Sequence, residues 1–198
     1  MDDNNKIETI LPTVSLPEKG MTPELLLRCI DSYANTIKDE KQINESLIHK
    51  KIRLSNFPSH ISENIVKLAY NKKYGIMPNW DIKPGDLLCI DQNDQNIRLE
   101  VKGSIDLSNG PPTFGPKENW DQIYFLDGLN NHEKKYKIYE IRLSNHSDKW
   151  KNLKISKTHT YLQQCQTGKR PRISFKEIQT HFGEDCELMF DGHISELF

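Results

Sequence analysis

Strict alternation of apolar and charged residues through Ile97-Arg98-Leu99-Glu100-Val101-Lys102 constrains the fold more than any other stretch. A period of two places Ile97, Leu99 and Val101 on one face of a strand, and Arg98, Glu100 and Lys102 on the other. The apolar run Leu87-Leu88-Cys89-Ile90 precedes it, and the DQNDQN segment between them is rich in turn formers. Residues 83–103 therefore read as a β-hairpin. Glu100 and Lys102 point the same way, about 6 to 7 Å apart. Asp86 opens the first strand after Pro84-Gly85, and antiparallel pairing would bring it near Glu100. Two carboxylates with a lysine beside them can hold Mg²⁺, a hard cation that takes oxygen ligands and keeps waters. The lysine can hold or help deprotonate a water that attacks phosphorus. The same spacing fits a half-buried hairpin that shows its charges to water, so the local pattern leaves both readings open.

Length and charge narrow the classes. The chain has 198 residues, 35% of them hydrophobic and 9% aromatic, enough for one domain around a real core, with an arm. A net charge of −1 argues against a protein that coats nucleic acid non-specifically, while allowing a local basic face. Four scattered cysteines, Cys29, Cys89, Cys165 and Cys186, form no C-x-x-C, which argues against a zinc knuckle or a redox motif. The start, MDDNNKIETILP, lacks a basic and apolar leader, and no apolar run approaches the ~20 residues of a membrane span. An intracellular, cytoplasmic location without a membrane partner is expected.

Residues 1–50 read as an N-terminal arm and helix, and residues 51–198 as the main domain. Thr22-Pro23-Glu24 is a helix start, followed to about Asn44 by a stripe of Leu26, Leu27, Ile30, Tyr33, Ala34 and Ile37. Asn56-Phe57-Pro58 breaks the chain, Ser59 caps a second helix, and Gly75 ends it. Glu63 lies off the centre of that helix's buried stripe, close to its start. It suits either the positive helix end or a third carboxylate leaning over the site. Gln122–Leu126 and Lys137–Leu143 read as two more strands, the first central because it is almost wholly apolar, and Glu187–Phe190 as a last one. A mixed sheet of four or more strands with helices on it follows, an α/β or α+β domain.

Two further stretches carry candidate chemistry. The loop after Lys102 concentrates glycine and proline between Gly110 and Gly115, which fixes an unusual path. Its Ser108, Asn109 and Thr113 can hydrogen-bond base edges or phosphates, or simply form a surface loop. From Lys149 to Lys176 the chain holds eight basic residues and no Asp or Glu. Lys149, Lys151, Lys154 and Lys157 suit phosphate contacts, and Lys169, Arg170 and Arg172 sit in a rigid basic turn whose arginines suit guanine. A solvated charged face is the alternative.

These residues resemble the Type II restriction endonucleases of the PD-(D/E)xK nuclease superfamily. The core motif is Pro84-Gly85-Asp86 followed by Glu100-Val101-Lys102, with Gly85 inserted between the proline and the aspartate. The runs NFPSHISENIVKLAYNKKYGIMPNWDIKPGDL, GPPTFGPKENWDQIYFLDG and QTGKRPRISF are similar to a group of short restriction enzymes from bacteria and large viruses. That similarity covers roughly residues 52 to 195. The resemblance implies a mixed, roughly five-stranded central sheet flanked by helices. It implies that Asp86, Glu100 and the backbone carbonyl of Val101 ligate Mg²⁺, that Lys102 positions the attacking water, and that Glu63 touches the metal through water. It further implies a homodimer acting on double-stranded DNA at a short palindromic site, leaving 5′-phosphate ends, and a cognate DNA methyltransferase as a separate protein. The sequence leaves two alternatives: a structure-selective repair or junction-resolving nuclease of the same fold, and a non-catalytic DNA-binding module.

Overall fold

The alternating run becomes the longest strand of a mixed six-stranded sheet, in a computed structural model that describes residues 21–80, 86–91 and 93–198. The arm expected over residues 1–20, the Pro84-Gly85 pair and Gln92 lie outside the described residues. The strands are β1 (Asn79–Trp80), β2 (Leu87–Ile90), β3 (Asn96–Ser104), β4 (Gln122–Asp127), β5 (Lys135–Ile141) and β6 (Cys186–His193). They lie side by side in chain order. β3 and β4 run parallel, and the other neighbours are antiparallel. The sheet exceeds the roughly five strands expected, the shortest of the six being the two-residue β1 on the edge of β2.

The hairpin forms in the register its pattern demands, with Leu87 opposite Leu99 and Cys89 opposite Ile97. Asp91 shapes the turn: its Oδ1 accepts from the backbone N–H of Asn93 and of Gln95, each at 2.8 Å. β4 is central, and Gln122 through Leu126 are all buried. Both faces of the sheet must therefore be covered.

One face carries α1 (Pro23–Ser46) and α2 (Ser59–Tyr74). Thr22 caps α1 by accepting from the Leu25 N–H, and Leu26, Ile30, Tyr33 and Ile37 form its buried stripe. Gly75 ends α2 in the left-handed conformation at φ 70°. Ser59 proves to be the first helical residue of α2, whose flanking Pro58 makes no side-chain cap. The turn before α2 is pinned by Phe57, whose ring packs edge-on to Tyr33 at 5.1 Å between centroids. Two glycines make room for it. A Cβ on Gly128 would lie 2.4 Å from the Phe57 ring, and one on Gly103 would lie 2.6 Å from the Ser62 Cβ. Gly103 thus lets the start of α2 press against β3 immediately beyond Lys102.

The opposite face carries three short helices, α3 (Asp148–Lys151), α4 (Tyr161–Gln166) and α5 (Phe175–Phe182). They occupy the stretch whose sequence reads as a basic segment. Each starts with a side-chain cap, from Ser147, Thr160 and Ser174 respectively. Their apolar residues meet β4 around an aromatic cluster of Phe114, Trp120, Trp150, Tyr161 and Phe182. Trp150 lies 4.5 Å from Phe182 and 5.5 Å from Trp120, centroid to centroid. Phe114 and Trp120 come from the proline-rich connection between β3 and β4, and both are fully buried. That connection is therefore anchored in the core. Truncating one such ring to alanine would cost about 3 to 5 kcal/mol.

Candidate active site

Asp86, Glu100 and Lys102 meet at the end of the β2–β3 hairpin. The Asp86 Oδ2 accepts from the backbone N–H of Val101 at 2.7 Å. The Lys102 ammonium donates to Glu100 and, at 3.2 Å, to Glu118 Oε2. Glu100 is only 5% exposed although it belongs to the charged side of the alternation, because the aromatic cluster covers that face. Lys102 lies 5.9 Å from the centre of the Phe114 ring, over its face. Glu63, brought down by the close approach of α2 to Gly103, is 8% exposed.

Crowding these carboxyls into the interior shifts their proton affinities in one direction. Burial raises Glu100 to about 7, opposed by the positive charge of Lys102 and reinforced by Asp86 and Glu118. Burial likewise raises Glu63 to about 7, with the Asp86 charge adding to it. Asp86 is raised by burial against the hydrogen bond from Val101. Burial on its own would lower Lys102, but Glu100 and Glu118 outweigh it and hold the ammonium above its ordinary value. Such a site keeps its lysine charged and would gain from a further cation beside its carboxylates.

Among the described residues no three His, Cys, Asp or Glu side chains gather closely enough to hold a metal by themselves. A Mg²⁺ ion does not require that, because it is usually held by one or two carboxylates and keeps several waters. The donors here are hard oxygens, from Asp86 and Glu100, and their raised proton affinity marks anionic charge in need of a partner. The residues fit a small divalent cation.

Glu118 is the site residue that the sequence reading missed. It stands just before β4, in a turn closed by its own N–H donating to the Gly115 carbonyl at 3.3 Å. Asn145, itself buried, fixes that turn by donating to the Glu118 carbonyl at 2.7 Å. The signal lies in topology. A parallel β3–β4 pair forces the connection to return to the start of β3, so the residues just before β4 pass beside Glu100 and Lys102. Asp121 shows the same return, its N–H donating to the Arg98 carbonyl at 3.0 Å.

A cleft of about 660 Å³ opens at Lys102, lined by the end of β3, the turn before α2 and the 105–113 loop. Arg170, Arg172, Asn109 and Thr113 are among its lining residues. The loop and the basic turn are joined directly, Thr113 forming a β-bridge with Arg172 while the Phe114 N–H donates to the Pro171 carbonyl at 3.1 Å. Ser108 and Asn109 both donate to the Asp106 carboxylate, which shapes the loop. The lysines separate. Lys149 pairs with Asp185 and with the Phe182 carbonyl, and Lys151 lies 3.7 Å from Asp148. Lys154, Lys157 and Lys169 are exposed and line no part of the cleft. A larger cavity of about 740 Å³ lies between α1 and the 128–132 turn, away from the carboxylates and Lys102.

The family model described as Bsp6I restriction endonuclease matches residues 28–180. The chain belongs to that restriction endonuclease family. The match begins inside α1, so it reaches further toward the N-terminus than the runs that first suggested the resemblance. The chain is 28% identical over 134 residues to the Type II restriction enzyme Bsp6I of Bacillus sp. (strain RFL6), covering 68% of this chain and 71% of that enzyme. No solved structure matches it. Membership of the family makes the chain an endonuclease, and among its described residues no helix is long and apolar enough to cross a membrane.

Proposed function

We propose that the chain is a site-specific endonuclease that hydrolyses phosphodiester bonds of double-stranded DNA at the Asp86–Glu100–Lys102 cluster, using Mg²⁺. The observation that carries the reading is a buried Glu100 and a half-buried Asp86 with a charged lysine, beside a cleft with arginines on its walls, in a chain of a restriction endonuclease family. Asp86, Glu100 and the Val101 carbonyl are the groups that would hold the cation. When bound, it supplies neutralisation of charge growing on the phosphate oxygens and a lowered pKa for a neighbouring water.

The chain's own residues do the rest. Lys102 acts as a fixed hydrogen-bond donor, because its two anionic partners keep it protonated. In that role it holds the attacking water and meets a phosphate oxygen. It does not serve as a base. The water oxygen bonds to phosphorus in line with the 3′ oxygen, whose bond breaks. The water gives up its proton to surrounding solvent water and the 3′ oxygen takes one from solvent, leaving 5′-phosphate and 3′-hydroxyl ends. Glu63 acts from α2 through an intervening water. Asn109, Thr113, Arg170 and Arg172 contact bases and backbone from the cleft, with Ser108 beside them in the same loop; Lys154, Lys157 and Lys169 contribute to the basic surface, which Lys149 and Lys151 join only by giving up their contacts with Asp185 and Asp148. A homodimer on a short palindromic site would cut each strand once. A separate DNA methyltransferase would protect the host genome. The functional unit is residues 51–198, to which residues 1–50 add an arm and a helix, and it works inside the cell.

The test is incubation with unmethylated phage DNA in Mg²⁺ and in EDTA. Discrete fragments in Mg²⁺ alone are expected, and sequencing their ends reports site, stagger and 5′-phosphate. Intact DNA in both lanes would refute the reading, and cutting confined to branched substrates would assign a structure-selective nuclease. Lys102→Ala is expected to bind DNA and to leave it uncut, so normal cutting by that variant would sink the mechanism.

A further inference from the structure

The cleft carries one more cation, Arg53, that the site described above does not use. It belongs to a second acid-free stretch. No Asp or Glu occurs between Ser46 and Ser62, whereas His49, Lys50, Lys51, Arg53 and His60 all do. Residues 50–58 have neither helix nor strand, yet the segment is tied down at two points. The side chain of Asn44 donates to the Ile52 carbonyl at 3.0 Å and accepts from the Ile52 N–H at 2.6 Å. The Glu40 carboxylate accepts from both the N–H and the hydroxyl of Ser55, at 2.8 and 2.5 Å, and Tyr33 donates to the Ser55 carbonyl. Two-point clamps from a helix to an extended strap fix the residues between them, and those residues are Arg53 and Leu54.

Arg53 is exposed, and its guanidinium donates to the amide oxygen of Asn56 at 3.0 Å. Among the described residues no carboxylate pairs with Lys50, Lys51 or Arg53. Asp106 is the one acid among the described residues lining the cleft, and Ser108 and Asn109 already occupy it. The Arg53 charge is therefore uncancelled beside a cleft that also holds Lys102, Arg170 and Arg172. A guanidinium offers a planar fork suited to phosphate oxygens, and a held guanidinium sacrifices less side-chain entropy on binding than a free one.

We infer that the 50–56 strap is a DNA-backbone-binding element, with Arg53 as its phosphate contact in the cleft and Asn44 as a positioning residue that holds it there. This rests on the reading of the cleft as a DNA site. Binding of a short fluorescein-labelled mixed-sequence duplex, measured by anisotropy in EDTA so that nothing is cut, separates the two. Arg53→Ala removes a single phosphate-binding cation and is expected to weaken binding about five- to tenfold near 0.1 M salt. It is expected to lower the slope of log affinity against log salt by about one. Arg53→Lys should restore the slope, and Lys135→Ala, which removes a charge outside the cleft, should leave it unchanged. Asn44→Ala removes no charge. It should weaken binding about two- to fivefold in the native protein and add nothing in Arg53→Ala, a non-additivity that general loss of stability would not produce. Native affinity and native slope in Arg53→Ala would overturn the inference while leaving the cleft's assignment in place. A duplex left unbound by the native protein at every salt concentration would overturn that assignment, and the strap's role with it.

Discussion

Removing divalent cations should make this protein lose stability as pH rises from about 5 to about 8, and adding them should restore it. Glu63 and Glu100 bind protons with pKa values near 7 in the folded chain, against an ordinary 4.5. Between those values the native state holds more protons than the unfolded chain, so the contribution of these two groups is full below about pH 4.5 and is lost as pH rises through 7. A shift of that size corresponds to about 3 kcal/mol for one group, and both together to at most about twice that. Asp86 is raised as well and acts in the same direction. The lowered carboxyls, Glu40, Asp91, Asp106, Glu133 and Glu177, contribute below that window and do not offset it. In a chain of this length about 3 kcal/mol is worth roughly 6 to 12 °C in melting temperature. Scanning calorimetry in EDTA at both ends of the window should show that fall. Mg²⁺ or Ca²⁺ should then raise the melting temperature strongly at the alkaline end and weakly at the acid end, because protons and cation compete for the same carboxylates. Glu63→Gln should flatten the EDTA profile. A melting temperature in EDTA that stays constant across the window would refute the argument that buried, uncompensated carboxylates form this site.

Two further outcomes test the site's construction. Glu118→Gln removes one of the two anions that hold Lys102 and leaves the other, so cleavage should slow about 10- to 100-fold while duplex affinity changes less than about twofold; native cleavage rates would remove Glu118 from the site. Gly103→Ala places a Cβ 2.6 Å from the Ser62 Cβ, so α2 must shift, and urea titration should show a loss of about 1 to 3 kcal/mol that Ser62→Gly partly recovers.

The legible parts of the fold are those written as local periodicity. The alternation at 97–102, the apolar run at 122–126 and the 3.6-residue stripe of α1 each determine an element without reference to the rest of the chain, and each is found. α3, α4 and α5 escape such a reading because none exceeds eight residues and their core contributions, such as Trp150, Tyr161 and Phe182, are spread over separate elements. A high local density of lysine hides them further. The proline-rich connection reads as surface, since its two buried rings, Phe114 and Trp120, stand among turn formers with no period to reveal them. Glu63 fits a helix-end charge equally well in the sequence, and its burial depends on a helix-to-strand approach that only Gly103 permits. Glu118 becomes visible only once β3 and β4 are known to be parallel.

Charge shows the same division between what a sequence states and what folding decides. The run from 149 to 176 contains no acid, yet Lys149 finds Asp185, which lies 36 residues further along, and Lys151 finds Asp148 one residue outside the run. Those lysines brace α3 against the end of α5 and against its own first turn. Arg170 and Arg172 sit in a turn bound through backbone to residues 113 and 114, and neither pairs with a carboxylate among the described residues. Arg53 reaches the same condition from a different segment of the chain, by clamps on Ser55 and Ile52 in place of a β-bridge. Exposed pairs of this kind add little stability but cancel local charge, whereas a cation that stays unpaired on a fixed backbone is available to an outside anion. Three of the six arginines in a chain of net charge −1, Arg53, Arg170 and Arg172, line the cleft that opens at Lys102. That is where a scissile phosphate must sit if the buried carboxylates are to act on it.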